Sequence, residues 1–449
     1  MPGKNSKEKM RKAWVITVDM GYGHQRAAHP LNYLAYEGII TANNYKGIPK
    51  KDKDIWVNSK GFYEFVSRFK KVPFLGNKLF NIYDRFQSIP QFYPRRDLSR
   101  PNLQLKQIYR LFKESCWGQD LIERLSKNPL PLITTFFITA FMAEYFGYPG
   151  EIYCIATDTD VSRTWVPLDP KNSKIMYFAP NRRVVDRLIL YGVRPEKIFL
   201  TGFPLPPENV GRNLEIIKED LGQRLINLDP DKFYISQYEK TLRHHLGRKL
   251  LKNSVRPLTI TFAVGGAGAQ RELGGIIMDS LKKQIASGEI TLNLMAGTHL
   301  AVNQYFKDQA KKVGISSHLG KSVNILFDRN KYRFFNKFNK VLRKTDILWT
   351  KPSELSFYCA LGIPIITAPP IGSQEDFNQR WLRTIGAGIK AEEPKYVNEW
   401  LVDWLKSGWL AEAAMQGFLE APKFGTYNIE DIIFHQYQKA KKVETVLQY

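Results

Sequence analysis

The chain has 449 residues, a length that suits two domains better than one. Lysine and arginine number 66 against 43 aspartate and glutamate, so the formal net charge of +23 attracts anionic partners such as nucleic acid, acidic lipid headgroups or phosphorylated ligands. The three cysteines are scattered without C-x-x-C spacing, so the sequence suggests no disulfide framework and no zinc site and indicates a reducing compartment.

The apolar segments of the chain indicate how it relates to a membrane. The basic N-terminus is followed by no apolar segment typical of a secretory signal. Residues 130–146 are the most apolar stretch, but they are too short to span a bilayer and contain Pro131 and Glu144. We therefore expect a cytoplasmic protein that is soluble or bound peripherally to a membrane.

The first predicted element is a buried strand over residues 14–18, which ends in a turn with Gly21 and Gly23 before a helix. Glycines at a strand-to-helix turn let backbone amides approach a ligand, and a helix N-terminus favours negative charge there. His24 lies at the mouth of this turn, before Ala27 and Ala28 open the helix, and it could accept a proton near neutral pH. A turn of this kind without a site is also a common structural element, and that alternative stays open here.

Residues 57–118 do not follow the rhythm of strands and helices, and they predict a helical insertion in which aromatic residues alternate with Lys and Arg. This mixture suits a membrane interface, where rings lie at headgroup level and cations meet acidic lipids. Two alternatives are an ordinary insertion with its aromatics packed inward and a nucleic-acid surface. We favour membrane contact and expect no nucleic acid, since no nucleic-acid motif is present. The expected contact residues are Phe62, Phe65, Phe69, Lys70 and Lys71.

Elsewhere, apolar strands alternate with helical patterns in two sets, which predicts an α/β protein with two Rossmann-like halves. Prolines and a charged, amphipathic stretch separate the two sets. We expect an N-terminal domain over 1–207, a linker with inserted helices over 208–256, and a C-terminal domain over 257–427. A basic helix over 428–449 could pack back on the N-terminal domain.

Two acidic residues follow the predicted strand 152–156, in the order Thr157, Asp158, Thr159, Asp160, and Trp165 lies beyond them. An Asp-x-Asp pair is also found in metal sites of some sugar-nucleotide enzymes. The end of a strand in a Rossmann-like half favours a single carboxylate facing the interdomain cleft instead, and no metal site is predicted.

Two further segments lie in the second half of the chain. Gly265, Gly266 and Gly268 follow the predicted strand 258–264, where backbone amides can surround a phosphate. Residues 349–388 then predict a strand, a short helix capped by Ser353, another strand and a polar loop. Glu354 lies in the first turn of the short helix. The polar loop contains groups that can hydrogen-bond sugar hydroxyls, namely Gln374, Glu375 and Asn378. The alternatives are helix capping for Glu354 and an ordinary solvated loop for Gln374 and Glu375.

In this order, the segments resemble the two-domain GT-B glycosyltransferases that include monogalactosyldiacylglycerol synthase, the bacterial processive diacylglycerol glucosyltransferase and the enzyme that forms lipid II. The resemblance covers nearly the whole chain. It is carried by residues 21–28, by Thr157, Asp158 and Trp165 with the run 192–204, by 351–364, and by 372–378.

The resemblance implies two Rossmann-like domains facing across a cleft and an inverting hexosyltransferase with no obligatory metal. Its co-substrate would be a nucleotide sugar, usually a UDP-hexose, held by the C-terminal half, and no other cofactor is implied. A lipid acceptor such as diacylglycerol would be held by the N-terminal half.

The resemblance also implies roles for single residues. His24 would lie near the acceptor hydroxyl and the donor, and Asp158 is a candidate base. Gln374 and Glu375 match the pair that contacts the hexose. Further matches are Gly21, Gly23, Arg26 and Trp165 on the acceptor side, and Gly265, Gly266, Gly268, Glu354 and Asn378 on the donor side.

The chain departs from the family pattern at Phe357, where relatives usually have a glutamate that binds the nucleotide ribose. Glu354, one helical turn earlier, is the candidate substitute. Other functions compatible with these residues are transfer to a non-lipid acceptor, epimerisation of a sugar nucleotide, and nucleotide-sugar or lipid binding without transfer.

Overall fold

A computed structural model describes residues 12–58, 89–250, 253–254, 256–263, 268, 270–370 and 373–434. These residues form two compact units, each with its own parallel sheet. The first unit takes the described residues within Met1–Pro204, Ile371–Phe377 and Phe424–Tyr449, and the second takes those within Leu205–Pro370 and Asn378–Lys423.

The sheet of the first unit has six parallel strands in the order β2-β1-β3-β4-β5-β6. The strands are β1 (Trp14–Thr17), β2 (Ile40–Thr41), β3 (Leu132–Thr134), β4 (Ile152–Ile155), β5 (Met176–Ala179) and β6 (Ile198–Leu200). From β1 the chain adds β2 on one side of the sheet and β3 on the other. The strand order therefore reverses between β1 and β3, and ligands of open α/β sheets bind at such a point.

Helices cover both faces of this sheet, so that alternate residues of a strand lie in different cores. Trp14 and Ile16 belong to one buried apolar cluster, and Val15 belongs to the other. The helices are α1 (Tyr22–Ala28), α2 (Leu103–Ser115), α3 (Gln119–Ser126), α4 (Phe137–Tyr145) and α5 (Arg182–Leu190), and residues 50–58 are also helical. The 3-10 turns are His29–Leu31, Arg163–Trp165 and Pro195–Lys197.

The predicted insertion lies only partly within the described residues. Its described part contains α2, whose Leu105, Ile108 and Phe112 are buried at helical spacing. Phe92 and Trp117 are buried as well, so these aromatic rings pack inward. The expected membrane-contact residues, from Phe62 to Lys71, lie outside the described residues.

The sheet of the second unit also has six parallel strands, in the order β12-β11-β10-β7-β8-β9. The strands are β7 (Leu258–Ala263), β8 (Ile290–Gly297), β9 (Val323–Phe327), β10 (Ile347–Thr350), β11 (Ile365–Thr367) and β12 (Gly388–Lys390). Counted from its own first strand, this is the 3-2-1-4-5-6 order of Rossmann folds. The predicted α/β class with two Rossmann-like domains is confirmed.

The second unit begins with helices from the segment predicted as a linker with inserted helices. These are α6 (Pro207–Val210), α7 (Glu215–Leu228), α8 (Phe233–Gln237) and α9 (Glu239–Leu246). Later helices are α10 (Arg271–Ser280), α11 (Lys282–Ser287), α12 (Leu300–Lys312), α13 (Lys331–Leu342), α14 (Ser373–Thr384), α15 (Val397–Lys406) and α16 (Trp409–Glu420). The residues of α14 up to Phe377 belong to the first unit, and those from Asn378 belong to the second. The 3-10 turns are Gly247–Lys249, Ser316–His318, Glu354–Leu361 and Pro394–Tyr396.

A last helix, α17 (Gly425–Phe434), completes the core of the first unit. Ile429 and Ile433 lie in the same apolar cluster as Val15. A Cβ atom on Gly425 would stand 2.1 Å from the carbonyl oxygen of Phe203, so only glycine permits this approach. Asn428 Nδ2 donates a hydrogen bond of 2.8 Å to the carbonyl oxygen of Thr201.

No helix in the described part of the chain combines the length and the apolar character that crossing a bilayer requires.

Candidate active site

The first candidate site lies at the carboxyl ends of β1 and β3, where the order of the first sheet reverses. The chain leaves β1 at Thr17 and enters α1 through Gly21, whose φ of 106° favours glycine. α1 begins at Tyr22 rather than at the predicted Ala27, so His24 lies in its first turn, and with only seven residues the helix has a small dipole.

His24 is held by the neighbouring strand. Its Nδ1 lies 2.7 Å from the carbonyl oxygen of Thr135, the residue after β3. A carbonyl only accepts hydrogen bonds, so Nδ1 carries the proton and Nε2 keeps a lone pair. Thr135 is fixed in turn, because its Oγ1 donates to Thr17 Oγ1 at 3.1 Å. Thr157 Oγ1, at the end of β4, lies 3.5 Å from the same Nδ1.

Aromatic rings surround the imidazole of His24. The ring of Phe136 meets it edge-on with centroids 4.8 Å apart, and the ring of Trp165 lies 6.3 Å away. Burial lowers the pKa of His24 to about 4, although the hydrogen bond with Thr135 opposes this shift. The ring is therefore neutral at pH 7 and available as an acceptor. It is also a weaker base than the sequence alone suggests.

Two other residues of this turn lie within the same unit. Arg26 is buried on α1, and its guanidinium carbon lies 5.6 Å from the ring centroid of Tyr22. Gly23 is partly buried in the first turn of the helix. A positively charged side chain is thus buried one helical turn below Tyr22, on the helix that carries His24.

The two aspartates after β4 have different surroundings. Asp160 is buried and accepts hydrogen bonds from Arg187 Nε at 2.8 Å and Nη2 at 2.9 Å, and another from the backbone of Val161. Asp160 therefore has a structural role. Asp158 is partly exposed and directly follows Thr157, so it remains the carboxylate that a ligand could meet. Among the described residues, no three His, Cys, Asp or Glu side chains group closely enough to hold a metal ion.

In the second unit, the corresponding position is the carboxyl ends of β7 and β10, which are neighbours in the sheet. Thr350 Oγ1 at the end of β10 donates to the carbonyl oxygen of Ala263 at the end of β7, at 3.3 Å. Gly265 and Gly266 lie outside the described residues. Gly268 has a φ of 71°, and a Cβ atom there would stand 2.9 Å from Val302, so both conformation and space favour glycine.

The turn after β10 is a 3-10 helix over Glu354–Leu361, and Glu354 in its first turn is buried. Ser353 does not cap it as predicted, because its hydroxyl points to the carbonyl oxygen of Lys351 at 3.5 Å. Phe357 is buried against Trp381 of α14, with ring centroids 5.3 Å apart. Position 357, for which the family resemblance implies a glutamate, is thus part of the apolar core in this protein.

Arg224 of α7 holds the far end of this turn. It is fully buried and donates to the carbonyl oxygens of Leu361 at 2.9 Å and Gly362 at 3.1 Å. Its Nε also donates to the carbonyl oxygen of Thr345 at 2.7 Å. Burial lowers the pKa of Arg224 to about 10, so it remains a cation at the carboxyl ends of α13 and the turn, where positive charge is favoured.

Gln374, Glu375 and Asn378 lie on a helix, so the predicted polar loop is wrong at these positions. All three belong to α14, and Gln374 and Glu375 are partly exposed in its first turn. Asn378 is buried, and its Nδ2 donates to the carbonyl oxygen of Pro352 at 3.3 Å. Asn378 therefore joins α14 to the strand end that carries Glu354.

The structure thus brings His24 and Trp165 together in the first unit, and Glu354 and Asn378 near one strand end in the second. The sequence interpretation gave no role in the site to Thr135, Phe136 or Thr157, although Thr157 is among the residues that carry the resemblance. Each of them lies within two residues of the end of β3 or β4, so the rule that ligands meet the carboxyl ends of parallel strands could have found them. Arg224 carries no such signal, because it comes from a helix far away in the sequence.

Comparisons with known proteins support the resemblance. A sequence family described as a domain of unknown function (DUF6938) matches residues 235–428. The processive diacylglycerol beta-glucosyltransferase of Bacillus pumilus is 20% identical over 397 residues, which cover 84% of this chain and 82% of that protein. The enzyme of the same name from Bacillus cytotoxicus is 23% identical over 314 residues, covering 66% and 68%. The predicted similarity to processive diacylglycerol glucosyltransferases is confirmed.

Solved structures with similar coordinates include MurG of Acinetobacter baumannii, with a TM-score of 0.47, 13% identity, and coverage of 94% of this chain and 99% of that one. The UDP-GlcNAc 2-epimerase of Neisseria meningitidis bound to UDP-GlcNAc has a TM-score of 0.41, 16% identity, and coverage of 78% and 84%.

Proposed function

We propose that this protein is an inverting glycosyltransferase that transfers a hexose from a nucleotide sugar to a lipid acceptor at a membrane surface. The simplest substrates are a UDP-hexose and diacylglycerol, since the curated relatives are processive diacylglycerol glucosyltransferases by name. The hydrogen bond from His24 Nδ1 to Thr135 carries the proposal, because it leaves Nε2 as an oriented acceptor at the switch point of the first sheet.

In this proposal the acceptor hydroxyl donates a hydrogen bond to His24 Nε2. As its proton passes to Nε2, the hydroxyl oxygen attacks the anomeric carbon, and the bond from that carbon to the diphosphate breaks with its electron pair leaving on the diphosphate. The configuration inverts because attack and departure are on opposite faces. The depressed pKa makes the imidazole a poor base in the unliganded protein. An anionic diphosphate brought close to the ring would favour the imidazolium and strengthen the base. Asp158 is the second candidate to receive the proton.

The donor would meet the segments that leave the carboxyl ends of β7 and β10. Gly268 belongs to the loop proposed for the diphosphate, and Glu354 is the carboxylate proposed for the nucleotide. Gln374 and Glu375 in the first turn of α14 would contact the hexose. Backbone amides can stabilise a leaving diphosphate without a cation, so we propose that transfer needs no metal.

Membrane association belongs to the same proposal. Described residues on both sides of the 59–88 segment are apolar and exposed, namely Val57, Tyr93 and Leu103. Arg95 and Arg96 are exposed beside Tyr93. Exposed apolar residues next to cations support contact with acidic lipid through this part of the chain.

The test is an assay of the full chain with UDP-glucose, UDP-galactose or UDP-GlcNAc and vesicles that contain diacylglycerol. We expect a glycolipid from one donor, with inverted anomeric configuration by NMR and an unchanged rate in EDTA. A water-soluble diol serves as the non-lipid acceptor. Epimerised nucleotide sugar without glycolipid, or donor binding without any product, would refute the proposal.

A further inference from the structure

Three aromatic side chains of the second unit are exposed on neighbouring elements. Phe233 of α8, Tyr238 at the junction with α9, and Trp409 at the start of α16 expose 60%, 43% and 55% of their surface. The rings of Tyr234 and Tyr238 lie 4.7 Å apart. A Cβ atom on Gly408 would stand 2.8 Å from Tyr234 Cβ, so Gly408, the residue before Trp409, lies in contact with α8. Tyr234 thus links the three, since it is adjacent to Phe233 in the sequence, contacts the ring of Tyr238 and lies against Gly408.

The turn that presents Phe233 is held firmly. Asp229 is fully buried and accepts hydrogen bonds from the backbone of Phe233 at 2.9 Å and of Ile235 at 2.7 Å. Lys232, directly before Phe233, has a φ of 57°, which is strained for a residue with a side chain. A phenylalanine kept exposed by a capped and strained turn points to a use for that exposure.

Cations border the aromatic residues. The exposed carboxylates of residues 231–250 are Asp231 and Glu239, and Glu239 is already paired with Arg243 at 2.7 Å. The exposed cations of the same residues are Lys232, Lys240, Arg243, Arg248 and Lys249. Near Trp409 the exposed charges are Asp403, Lys406 and Glu412, so cations still exceed carboxylates, and the surface is aromatic with a small positive excess.

We propose that this aromatic–basic surface docks on an anionic lipid membrane. Tyrosine and tryptophan rings lie at headgroup level in bilayers, and lysine and arginine extend from there to lipid phosphates. A second copy is disfavoured as the occupant, because each chain carries a net charge of +23. Single-stranded nucleic acid would also stack on aromatic rings. The half-buried aliphatic Ile235, next to Tyr234 on α8, favours lipid, because nucleic-acid stacking makes no use of it.

This surface goes beyond the proposed function, since it lies on the second unit and its lipid binding needs no catalysis. The experiment is flotation of the full chain with vesicles of equimolar phosphatidylcholine and phosphatidylglycerol, compared with phosphatidylcholine alone. The variant is Phe233→Ser with Trp409→Ser, and both positions are exposed, so the fold should persist by circular dichroism. The matched control is Tyr396→Ser, a 48% exposed aromatic of the same unit outside the surface.

We expect the double variant to partition at least about tenfold less onto the anionic vesicles, because each lost ring removes buried apolar area. The control should partition like the wild type. Binding should weaken with added salt, since the cations face lipid phosphates. Unchanged partitioning of the double variant would overturn the proposal. So would a loss confined to oligonucleotide binding or to self-association, measured by size-exclusion chromatography.

Trp409 also provides a direct reporter. The nine tryptophans of the chain all lie in the described residues, and among them Trp409 has the one exposed indole, because the other eight are buried or half-buried. Vesicles with brominated acyl chains should quench the emission of the wild type more than that of Trp409→Phe, which keeps an aromatic ring and the binding. Equal quenching in both proteins would overturn the proposal. The quenching result is independent of glycolipid synthesis. A failed activity assay would therefore not contradict membrane docking, and a failed quenching experiment would not contradict the proposed sugar transfer.

Discussion

His24 shows how one backbone hydrogen bond can define the chemistry of a side chain. The carbonyl of Thr135 fixes the tautomer, and the surrounding rings of Phe136 and Trp165 keep the imidazole neutral. The sequence identified His24 as a candidate site residue, because a histidine after a glycine turn at a strand end is easily recognised. It could not predict the tautomer or the depressed pKa, since both depend on residues more than one hundred positions away.

Replacement of His24 by alanine should lower the initial rate of transfer by at least about two orders of magnitude, the usual contribution of a positioned proton acceptor. Donor affinity should change little if the imidazole meets the acceptor hydroxyl. The measurements are initial rates of glycolipid formation and calorimetric titration with the nucleotide sugar. A rate near that of the wild type would contradict the proposed role.

Stability should depend on pH through the same residue. The pKa of His24 is about 4 in the folded protein and about 6.5 when unfolded, so the unfolded chain binds more protons between these values. Stability from the neutral ring is therefore complete above pH 6.5 and is lost as the pH falls towards 4. The loss is at most about 3 kcal/mol, and less because His24 is partly exposed.

Asn replaces the Nδ1 donor of His24 without adding a titrating group, so His24→Asn is the matched variant. Urea unfolding of both proteins from pH 7 to pH 4.5 measures the difference in unfolding free energy. The wild type should lose more stability than the variant over this range. Parallel pH dependence of the two would show that His24 titrates normally.

At the scale of elements, prediction from sequence succeeded where periodicity was strong. β1 and β4 lie within the predicted strands 14–18 and 152–156. The prediction failed at α14, where glycine, proline and polar residues suggested a loop although Phe377 and Trp381 have helical spacing. The edge strand β2 has only two residues, too few for any periodic pattern.

Arg224 joins three elements, and its loss should destabilise the second unit. Arg224→Met leaves the carbonyl oxygens of Thr345, Leu361 and Gly362 buried without their donor. We expect a cost of about 3 kcal/mol or more in unfolding free energy, since each unsatisfied buried group costs about 1–3 kcal/mol. Urea unfolding followed by circular dichroism measures it. A cost below about 1 kcal/mol would show that water replaces the guanidinium.

Gly425 permits the closest contact of α17. A methyl group there would meet the carbonyl oxygen of Phe203, so Gly425→Ala should force α17 to shift. We expect a loss of about 1–3 kcal/mol, the range for overpacked sites. Differential scanning calorimetry measures the loss, and faster proteolysis after residue 424 would show which element moved. An unchanged melting temperature would contradict the packing described for this helix.

For the whole molecule, composition and the order of segments predicted two Rossmann-like domains and the similarity to processive diacylglycerol glucosyltransferases. The excess of cations predicted an anionic partner, yet it gave no position for the contact. The aromatic–basic surface around Phe233 lies in a segment predicted only as a linker with inserted helices, because exposure follows from the packing of α8 against α16.

The predicted contact of residues 57–118 with lipid has its own test. Replacing Phe62, Phe65 and Phe69 by serine should weaken flotation with acidic vesicles and leave donor binding intact, because these residues belong to the acceptor side in the proposed function. Unchanged flotation would assign membrane binding to other surfaces. The quenching of Trp409 by brominated lipid separates the two surfaces in the same experiment.

The position of α17 has a consequence for biosynthesis. The ribosome makes β1 to β6 first, then the entire second unit, and only afterwards the helix that supplies Ile429 and Ile433. During translation the first unit therefore exposes the apolar strip that these residues will cover, while its neighbour is already folding. That interval is when a nascent chain of this protein is most exposed to chaperones and to aggregation.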